Sequence, residues 1–183
     1  MRFPVLVSYG RAAEITFFHL RPRPRRGFVL ADSLALNLAG TSSFLSDFLL
    51  WSQRFFPRAV NFQVEWPAAE REKLRADLKL PREGYLVGNS WTLPLFLAFD
   101  RLFQGRPWPE GLLASGAVRR VRGLRCVSVG GARFKLRRAK AGGCRLLLPR
   151  SNVRALSRRG LEVSDCLPLP PNLAECLRLW RSY

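Results

Sequence analysis

Histidine and paired cysteines are nearly absent from this chain of 183 residues. It has one histidine, His19, and its four cysteines stand far apart with no C-x-x-C pair: Cys126, Cys144, Cys166 and Cys176. A zinc site needs nitrogen or sulfur ligands at close spacing, so the sequence predicts no metal site. Scattered cysteines without a secretory leader are typical of a reducing compartment, so we expect reduced, mostly buried thiols in a cytoplasmic protein.

Long apolar runs and nucleotide-binding glycine loops are also missing. No run reaches the roughly 18 to 20 apolar residues of a membrane span. The opening MRFPVLVSYGR is short and is interrupted by Pro4, which is not the pattern of a signal peptide. The phosphate-binding pattern G-x-x-x-x-G-K-[ST] occurs nowhere in the chain. We therefore expect no membrane partner, and no cofactor bound by this chain.

Acidic residues are scarce, since 13 Asp and Glu stand against 31 Lys and Arg and leave a net charge of +18 at pH 7. Lysine is scarce as well, with its four positions at Lys73, Lys79, Lys135 and Lys140. A field of this strength attracts phosphate or an acidic protein surface. Arginine keeps its proton, whereas a lysine can be tuned by its surroundings to act as a base. An Arg-rich composition without a functional reason is an open alternative.

The chain does contain a regular succession of strand and helix patterns. We predict strands at 3–9, 14–20, 27–36, 59–66, 83–90, 111–120, 124–131, 144–149 and 161–167, and helices at 41–57, 91–103, 132–141, 151–160 and 172–180. Residues 68–80 are predicted as a short polar helix or a loop, and the proline-containing link 21–26 as a loop tip. This order predicts one α+β domain over residues 1–183, with a mixed sheet flanked by helices.

Between residues 84 and 180, short motifs follow one another in a fixed order. They are GNS (88–90), GRP (105–107), SG (115–116), VSVGG (127–131), a lysine at position 135, AKAGG (139–143) and LLLPRSN (146–152). Each piece is weak alone, but the ordered series is fairly specific. By these motifs the chain resembles the proteolytic domain of the Lon peptidase family. Residues 1–80 match that family only in their pattern of strands and a helix.

The resemblance implies a Lon-like fold and a serine endopeptidase that uses a Ser-Lys dyad. Ser90 matches the nucleophile, Lys135 the general base, and Ser115 the hydroxyl residue that helps to hold the lysine. The family cleaves protein substrates that an ATP-driven ring unfolds and supplies. An ATPase or regulatory partner and a homo-oligomeric ring are therefore implied too, and ATP would enter only through a separate partner or domain.

The residues themselves are compatible with this chemistry. A lysine becomes a base only when its pKa falls from about 10.4 toward neutrality. We expect burial beside Phe134 and Leu136, together with repulsion from nearby arginines, to lower the pKa of Lys135. Ser90 is predicted at or next to the start of helix 91–103, where free backbone N–H groups and the helix dipole favour an oxyanion. Taken alone, such a serine is often only a helix cap, and such a lysine is usually solvated.

The chain departs from the family pattern around these motifs. The acidic residue often found just before the Gly-x-Ser turn is replaced by the apolar run Tyr85, Leu86 and Val87. Trp91 and Thr92 follow the serine, where the family has small residues, so we expect Trp91 to crowd the acyl site or reshape its specificity. Ala117 stands where the family commonly has a glutamate after the SG motif.

The alternative is a catalytically silent Lon-like domain that binds nucleic acid or serves as an assembly scaffold. Its candidate phosphate-binding residues are Arg119, Arg120 and Arg122 in one hairpin and Arg137 and Arg138 on one helix. Docking of the basic face on an acidic partner is a third possibility. A scaffold has no need of both Ser90 and Lys135, so the sequence favours the peptidase.

Overall fold

The computed structural model of the chain describes residues 1–22, 29–30, 38–39, 62–80, 86–87, 89–120 and 123–183. Its strands are β1 (Arg2–Tyr9), β2 (Ala12–Pro22), β3 (Val29–Leu30), β4 (Leu38–Ala39), β5 (Phe62–Glu65), β6 (Leu86–Val87), β7 (Leu112–Ala114), β8 (Ala117–Arg120), β9 (Leu124–Val127), β10 (Arg145–Pro149) and β11 (Cys166–Leu169). Its helices are α1 (Ala68–Leu78), α2 (Thr92–Phe103), α3 (Ala132–Ala141), α4 (Arg150–Ser157) and α5 (Leu173–Trp180). The predicted α+β class is confirmed. The predicted helix at 41–57 lies outside the described residues.

The N-terminal half forms a mixed sheet of four described strands, in the order β1-β2-β5-β3. β1 and β2 are an antiparallel hairpin, β2 pairs antiparallel with β5, and β3 joins β5 in parallel. The prediction that residues 21–26 form a loop tip is wrong at its start, because Arg21 and Pro22 pair with β5. Proline is tolerated there because it lies at the very end of the strand.

A second, wholly parallel sheet has the order β11-β10-β7. Its central strand carries the continuous apolar run Leu146–Leu148, which is typical of a strand buried on both faces. The strand predicted at 161–167 is misplaced, since β11 begins at Cys166. The Cys166 amide donates to the Val163 carbonyl in a turn that precedes the strand.

The segment predicted as one strand over 111–120 is two strands, which is a second correction. β7 belongs to the parallel sheet, whereas β8 pairs antiparallel with β9. Ser115 and Gly116 separate them, and the Gly116 amide donates to the Ser90 carbonyl while its own carbonyl accepts from the Leu93 amide. The chain is thereby fastened to the start of α2. Instead of the single mixed sheet predicted, the described strands form separate sheets.

Three helices, α2, α3 and α4, position residues of the candidate active site. α2 is buried from Thr92 through Arg101, and Pro94 lies in its first turn, where the backbone N–H groups lack internal acceptors. α3 begins and ends where the sequence predicted. α4 begins at Arg150 after Pro149, one residue earlier than predicted, and has no side-chain cap at its start.

The C-terminal helix α5 fixes the far side of α2. The Asn172 side chain caps the start of α5 by accepting from the amides of Ala174 and Glu175. The Trp180 indole donates to the Leu97 carbonyl at 3.2 Å. Arg181 forms an ion pair of 2.6 Å with the buried Asp100. These contacts hold α2 rigidly against the rest of the domain.

Two apolar clusters make up the described core. The larger one joins β1, β2, α2 and α5 and includes Phe18 and Trp91. The smaller one lies between α3, β10 and α4 and includes Leu136 and Ala139. Residues near the start of α2 and on α3 therefore belong to different clusters, and the site described below lies where the two meet. Among the described helices, none is both long and apolar enough to cross a membrane.

Candidate active site

A cavity of about 570 Å³ is lined by Ser90, Trp91 and Lys135. The end of β1, the turn before α2, strand β8, the loop 128–131 and the first turn of α3 all line it. The sequence places Ser90 and Lys135 45 positions apart, so only the fold can assemble them. The two predicted catalytic residues thus face a common space.

Ser90 lies in the turn immediately before α2 and is half-buried. The residue at the N-cap position is Trp91, so Ser90 is next to the cap, as predicted. The expected free N–H groups are partly used, which corrects the prediction: the Thr92 amide donates to the Asn89 carbonyl and the Leu93 amide to the Gly116 carbonyl. The positive end of the α2 dipole still lies next to the Ser90 hydroxyl.

Lys135 is buried, with only 2% of its surface exposed. Its ammonium donates one hydrogen bond, of 2.9 Å, to the Ser115 hydroxyl. Desolvation lowers the pKa of Lys135 from 10.5 to about 8. The predicted contribution from arginine repulsion is not among the causes of this shift, since burial accounts for it. A lysine in this state is a plausible base near neutral pH.

Ser115 is the supporting hydroxyl that the sequence predicted. It is fully buried between β7 and β8, and its amide donates to the Leu147 carbonyl of the parallel sheet. The described hydrogen bonds therefore join Lys135 to Ser115 rather than to Ser90. Such a bond orients the amine and leaves its lone pair free to be aimed at another group once the lysine is neutral.

The loop into α3 has a glycine where its backbone requires one. Gly131 has φ +67° and precedes the first residue of the helix. A side chain here would collide with Ser8 of β1, so the glycine also permits close approach of the loop to the hairpin. The Gly131 carbonyl accepts from the Lys135 amide and starts the helix that carries the lysine.

Asn152 is a positioning residue. It belongs to the motif LLLPRSN, but the sequence predicted no role for it. Its side chain accepts from the Val129 amide at 3.0 Å and donates to the Val129 carbonyl at 2.9 Å. Asn152 is nearly buried at the start of α4. The paired bonds fix the loop 128–131, which forms one wall of the cavity. A side-chain amide three residues after the proline that ends a buried strand was the available signal.

Apolar rings form another side of the cavity. Trp91 is 3% exposed and packs near Phe18, with 6.3 Å between the ring centroids. Phe134 of α3 lines the cavity as well, and the Arg133 guanidinium lies 4.4 Å above its ring. The expectation that Trp91 shapes the space beside Ser90 is consistent with this placement.

The described candidate phosphate-binding arginines lie on two elements, β8 and α3. Arg119 lines the cavity, whereas Arg120 is the next residue on β8 and points to the other face of the strand. Arg137 and Arg138 line a separate groove beside β2, and Arg138 is already paired with Glu14 at 2.6 Å. Arg122 lies outside the described residues. Of the four described positions only Arg119 lines the cavity, and the phosphate-binding role of these arginines stays a prediction.

The cysteines are free thiols, three of them buried, as expected. A hydrogen bond to Cys176 and burial raise the pKa of Cys126, so this thiol is unreactive. Within the described ranges, no group of three or more His, Cys, Asp and Glu residues could hold a metal ion.

No family model matches this chain, and no curated protein matches it.

Proposed function

We propose that this chain is a Lon-like serine endopeptidase domain, with Ser90 as the nucleophile and Lys135 as the general base. The observation that carries the proposal is the buried lysine, whose pKa of about 8 comes from desolvation on the wall of the cavity that also contains Ser90. Burying an amine is costly, and lysines with strongly lowered pKa values are found mainly at functional sites.

In the proposed reaction, neutral Lys135 takes the proton of the Ser90 hydroxyl as its oxygen attacks the peptide carbonyl. The resulting ammonium returns that proton to the leaving amine, and an ester joins Ser90 to the acyl part of the substrate. Water, deprotonated by the same lysine, then hydrolyses this ester and restores both residues. In enzymes without substrate, catalytic hydrogen bonds are often long and tighten on binding, which accommodates the present bond to Ser115.

Ser115 has a positioning role in this proposal. It holds Lys135 by the bond of 2.9 Å and is itself held by the parallel sheet through its amide. The hydroxyl accepts from the amine in both its charged and its neutral form, since a neutral amine keeps two N–H donors, so the lone pair stays available for the Ser90 proton.

The test is covalent labelling with a fluorophosphonate, which reacts with activated serines. We expect labelling of Ser90, and its loss in Ser90→Ala and Lys135→Met. Ser128→Ala is the matched control, because Ser128 lines the same cavity and is exposed. Labelling that survives Ser90→Ala, or a folded protein that is never labelled, would contradict the proposal.

The silent scaffold is the competing proposal, and the exposed arginines of α4 favour it. Arg150 and Arg154 line a smaller groove of about 240 Å³ beside Ser151. Binding of random DNA with a steep dependence on salt, in a protein that the probe does not label, would support this alternative. The buried lysine favours the peptidase, since a phosphate-binding scaffold gains nothing from an amine withdrawn from solvent.

A peptidase of this kind would take its protein substrates from an ATP-driven partner or domain and would assemble as a ring. We propose both by resemblance, together with a cytoplasmic location. Co-purification of the chain with an ATPase, and light scattering of the isolated chain, would test the partner and the ring separately.

A further inference from the structure

The charges on the cavity wall are all of one sign. Arg119 and Lys135 line it, and no aspartate or glutamate is found among the described residues that do. Some basic side chains elsewhere on the described surface are neutralised by carboxylates, as in the pairs Arg138–Glu14 and Lys140–Glu162, whereas no carboxylate of the described residues lines the cavity. The cavity is therefore a place where positive charge is left for a ligand to neutralise.

The position of Arg119, opposite a second arginine, increases this excess of positive charge. In the β8–β9 register Arg119 lies directly opposite Arg125, and both are exposed. Residues directly opposite in an antiparallel pair project to the same face, and like charges in that arrangement are destabilising. No ion pair of the described residues involves Arg119 or Arg125. An anion bound between them would remove the repulsion.

The strand also sets the distance from the reaction centre. Gly116, whose amide holds the Ser90 carbonyl, precedes Arg119 by three residues along the chain. At roughly 3.3 Å per residue, this separation is about 10 Å. The backbone of Arg119 is thus one to three substrate residues away from Gly116, and its side chain lines the same cavity as Ser90, so it is placed for a substrate side chain near the scissile bond. The rings of Trp91 and Phe134 supply the apolar remainder of the wall.

We propose that Arg119 determines specificity by binding the carboxylate of an aspartate or glutamate within two residues of the scissile bond. The substrate class is then an acidic protein segment. This inference rests on the proposed peptidase function and adds the chemistry of its substrate. Arginine suits this role because its planar guanidinium can donate two parallel hydrogen bonds to a carboxylate.

The test compares binding of matched peptides to the full chain carrying Ser90→Ala, which removes turnover. One fluorescent peptide has glutamate on both sides of its central bond, and its partner has glutamine at the same positions. We expect the glutamate peptide to bind about tenfold more tightly, as a charge-assisted hydrogen bond predicts. Arg119→Gln should remove this preference. Arg120→Gln is the matched control, because it deletes the same charge from the neighbouring position on the opposite face, and it should leave the preference intact.

Charge reversal adds a second readout. Arg119→Glu should reverse the preference toward a peptide with lysine in place of glutamate, which a merely structural role of Arg119 would not do. Equal binding of the two peptides to Ser90→Ala, or equal losses in Arg119→Gln and Arg120→Gln, would overturn the proposal.

Probe labelling of the unsubstituted chain separates the two proposals. Labelled Ser90 without a glutamate preference overturns the substrate class alone. A preference that depends on Arg119, in a chain that is never labelled, overturns the peptidase and retains Arg119 as the site of an acidic ligand. If Ser90 is not labelled and the glutamate peptide is not preferred, both proposals are overturned.

Discussion

At the scale of single residues, the surroundings of Lys135 disfavour its charged form. The folded protein lowers the pKa of this amine from 10.5 to about 8 by burial, whereas the unfolded chain keeps the ordinary value. Between these two pH values the unfolded state binds more protons than the folded state. Stability therefore increases as the pH rises from about 8 to 10.5, and the full penalty is present below pH 8.

Replacement of Lys135 by methionine, which has a similar length and no charge, should stabilise the fold at pH 7. The shift in pKa corresponds to about 3 kcal/mol, from which the loss of the bond to Ser115 subtracts roughly 1 kcal/mol. We expect a net gain of about 2 kcal/mol in urea unfolding at pH 7, and a smaller gain at pH 9.5. A variant that is less stable at pH 7, or equally stabilised at both pH values, would contradict the burial of the amine.

The same pKa sets the pH dependence of the proposed chemistry. Only the neutral amine can take a proton from Ser90, and below the pKa the neutral fraction rises tenfold with each pH unit. The rate of fluorophosphonate labelling should therefore rise with pH and level off above about pH 8. A rate that is constant between pH 6.5 and 9 would show that Lys135 is not the base.

At the scale of elements, the loop 128–131 and the helix α3 behave as a unit that delivers the lysine. Asn152 holds the loop by two hydrogen bonds to Val129, and Gly131 lets it lie against Ser8 of β1. The position of the amine thus depends on contacts at both ends of the loop.

Gly131→Ala and Gly143→Ala form a matched pair that tests this arrangement. Both glycines have a positive φ, +67° and +64°, so either alanine incurs a backbone strain of about 1 kcal/mol. Only at Gly131 would the new methyl group also collide with Ser8, whereas nothing lies within 4 Å at Gly143. We expect Gly131→Ala to be less stable by a further 1 to 3 kcal/mol, roughly, and to be labelled more slowly. The additional substitution Ser8→Gly should recover part of the loss.

Comparable losses in the two alanine variants would contradict the close packing of Gly131. Thermal unfolding monitored by circular dichroism gives the stabilities, and the labelling rate reports on the site.

The sequence predicted the helices beside the site well. Helix 132–141 was placed at its observed bounds, and the predicted 91–103 differs from α2 by one residue, because apolar periodicity and glycine stops are local signals. The break at Ser115 and Gly116 was missed because a tertiary contact causes it, namely the hydrogen bonds between Gly116 and the start of α2. The split into separate sheets was missed for the same reason.

For the site, motif order singled out Ser90, Lys135 and Ser115. Lys135 lies on the predicted helix, whereas Ser90 and Ser115, predicted within strands 83–90 and 111–120, lie in a turn and between two strands. The burial expected for Lys135 is confirmed, although it comes from distant strands and a lysine in a basic helix is usually solvated. Arg119 and Arg120 are neighbours of the same type, and only the register of β8 against β9 decides which of them reaches the cavity. Pairing register is a property of the fold, so sequence pattern alone could not separate them.

At the scale of the whole molecule, the site lies where the two apolar clusters meet, on a chain with a net charge of +18. Trp91 belongs to the larger cluster, and Lys135 lies on α3, the helix that packs on the smaller one. The distance between the proposed nucleophile and base therefore depends on how the clusters are held together. Repulsion among the excess positive charges weakens the packing of the two clusters against each other.

Added salt should consequently stabilise the protein. At 0.5 M potassium chloride the Debye length is well below 10 Å, so repulsion between separated arginines is largely screened. We expect the urea midpoint to rise between 0.02 M and 0.5 M salt. A falling midpoint would indicate that the surface ion pairs, such as Arg2–Glu70, contribute more than the repulsion does.

The burial of Lys135 should make it react differently from the other lysines with acylating reagents. Lys73 and Lys79 are exposed and Lys140 is half-exposed, so bulky acylating esters would cap these three side chains. Lys135 is neutral in mild alkali, but a reagent can approach it only through the cavity. Cyanate is small enough to enter the cavity, whereas the bulky esters are not. Size-selective modification followed by peptide mass mapping would thus report how wide the entrance is.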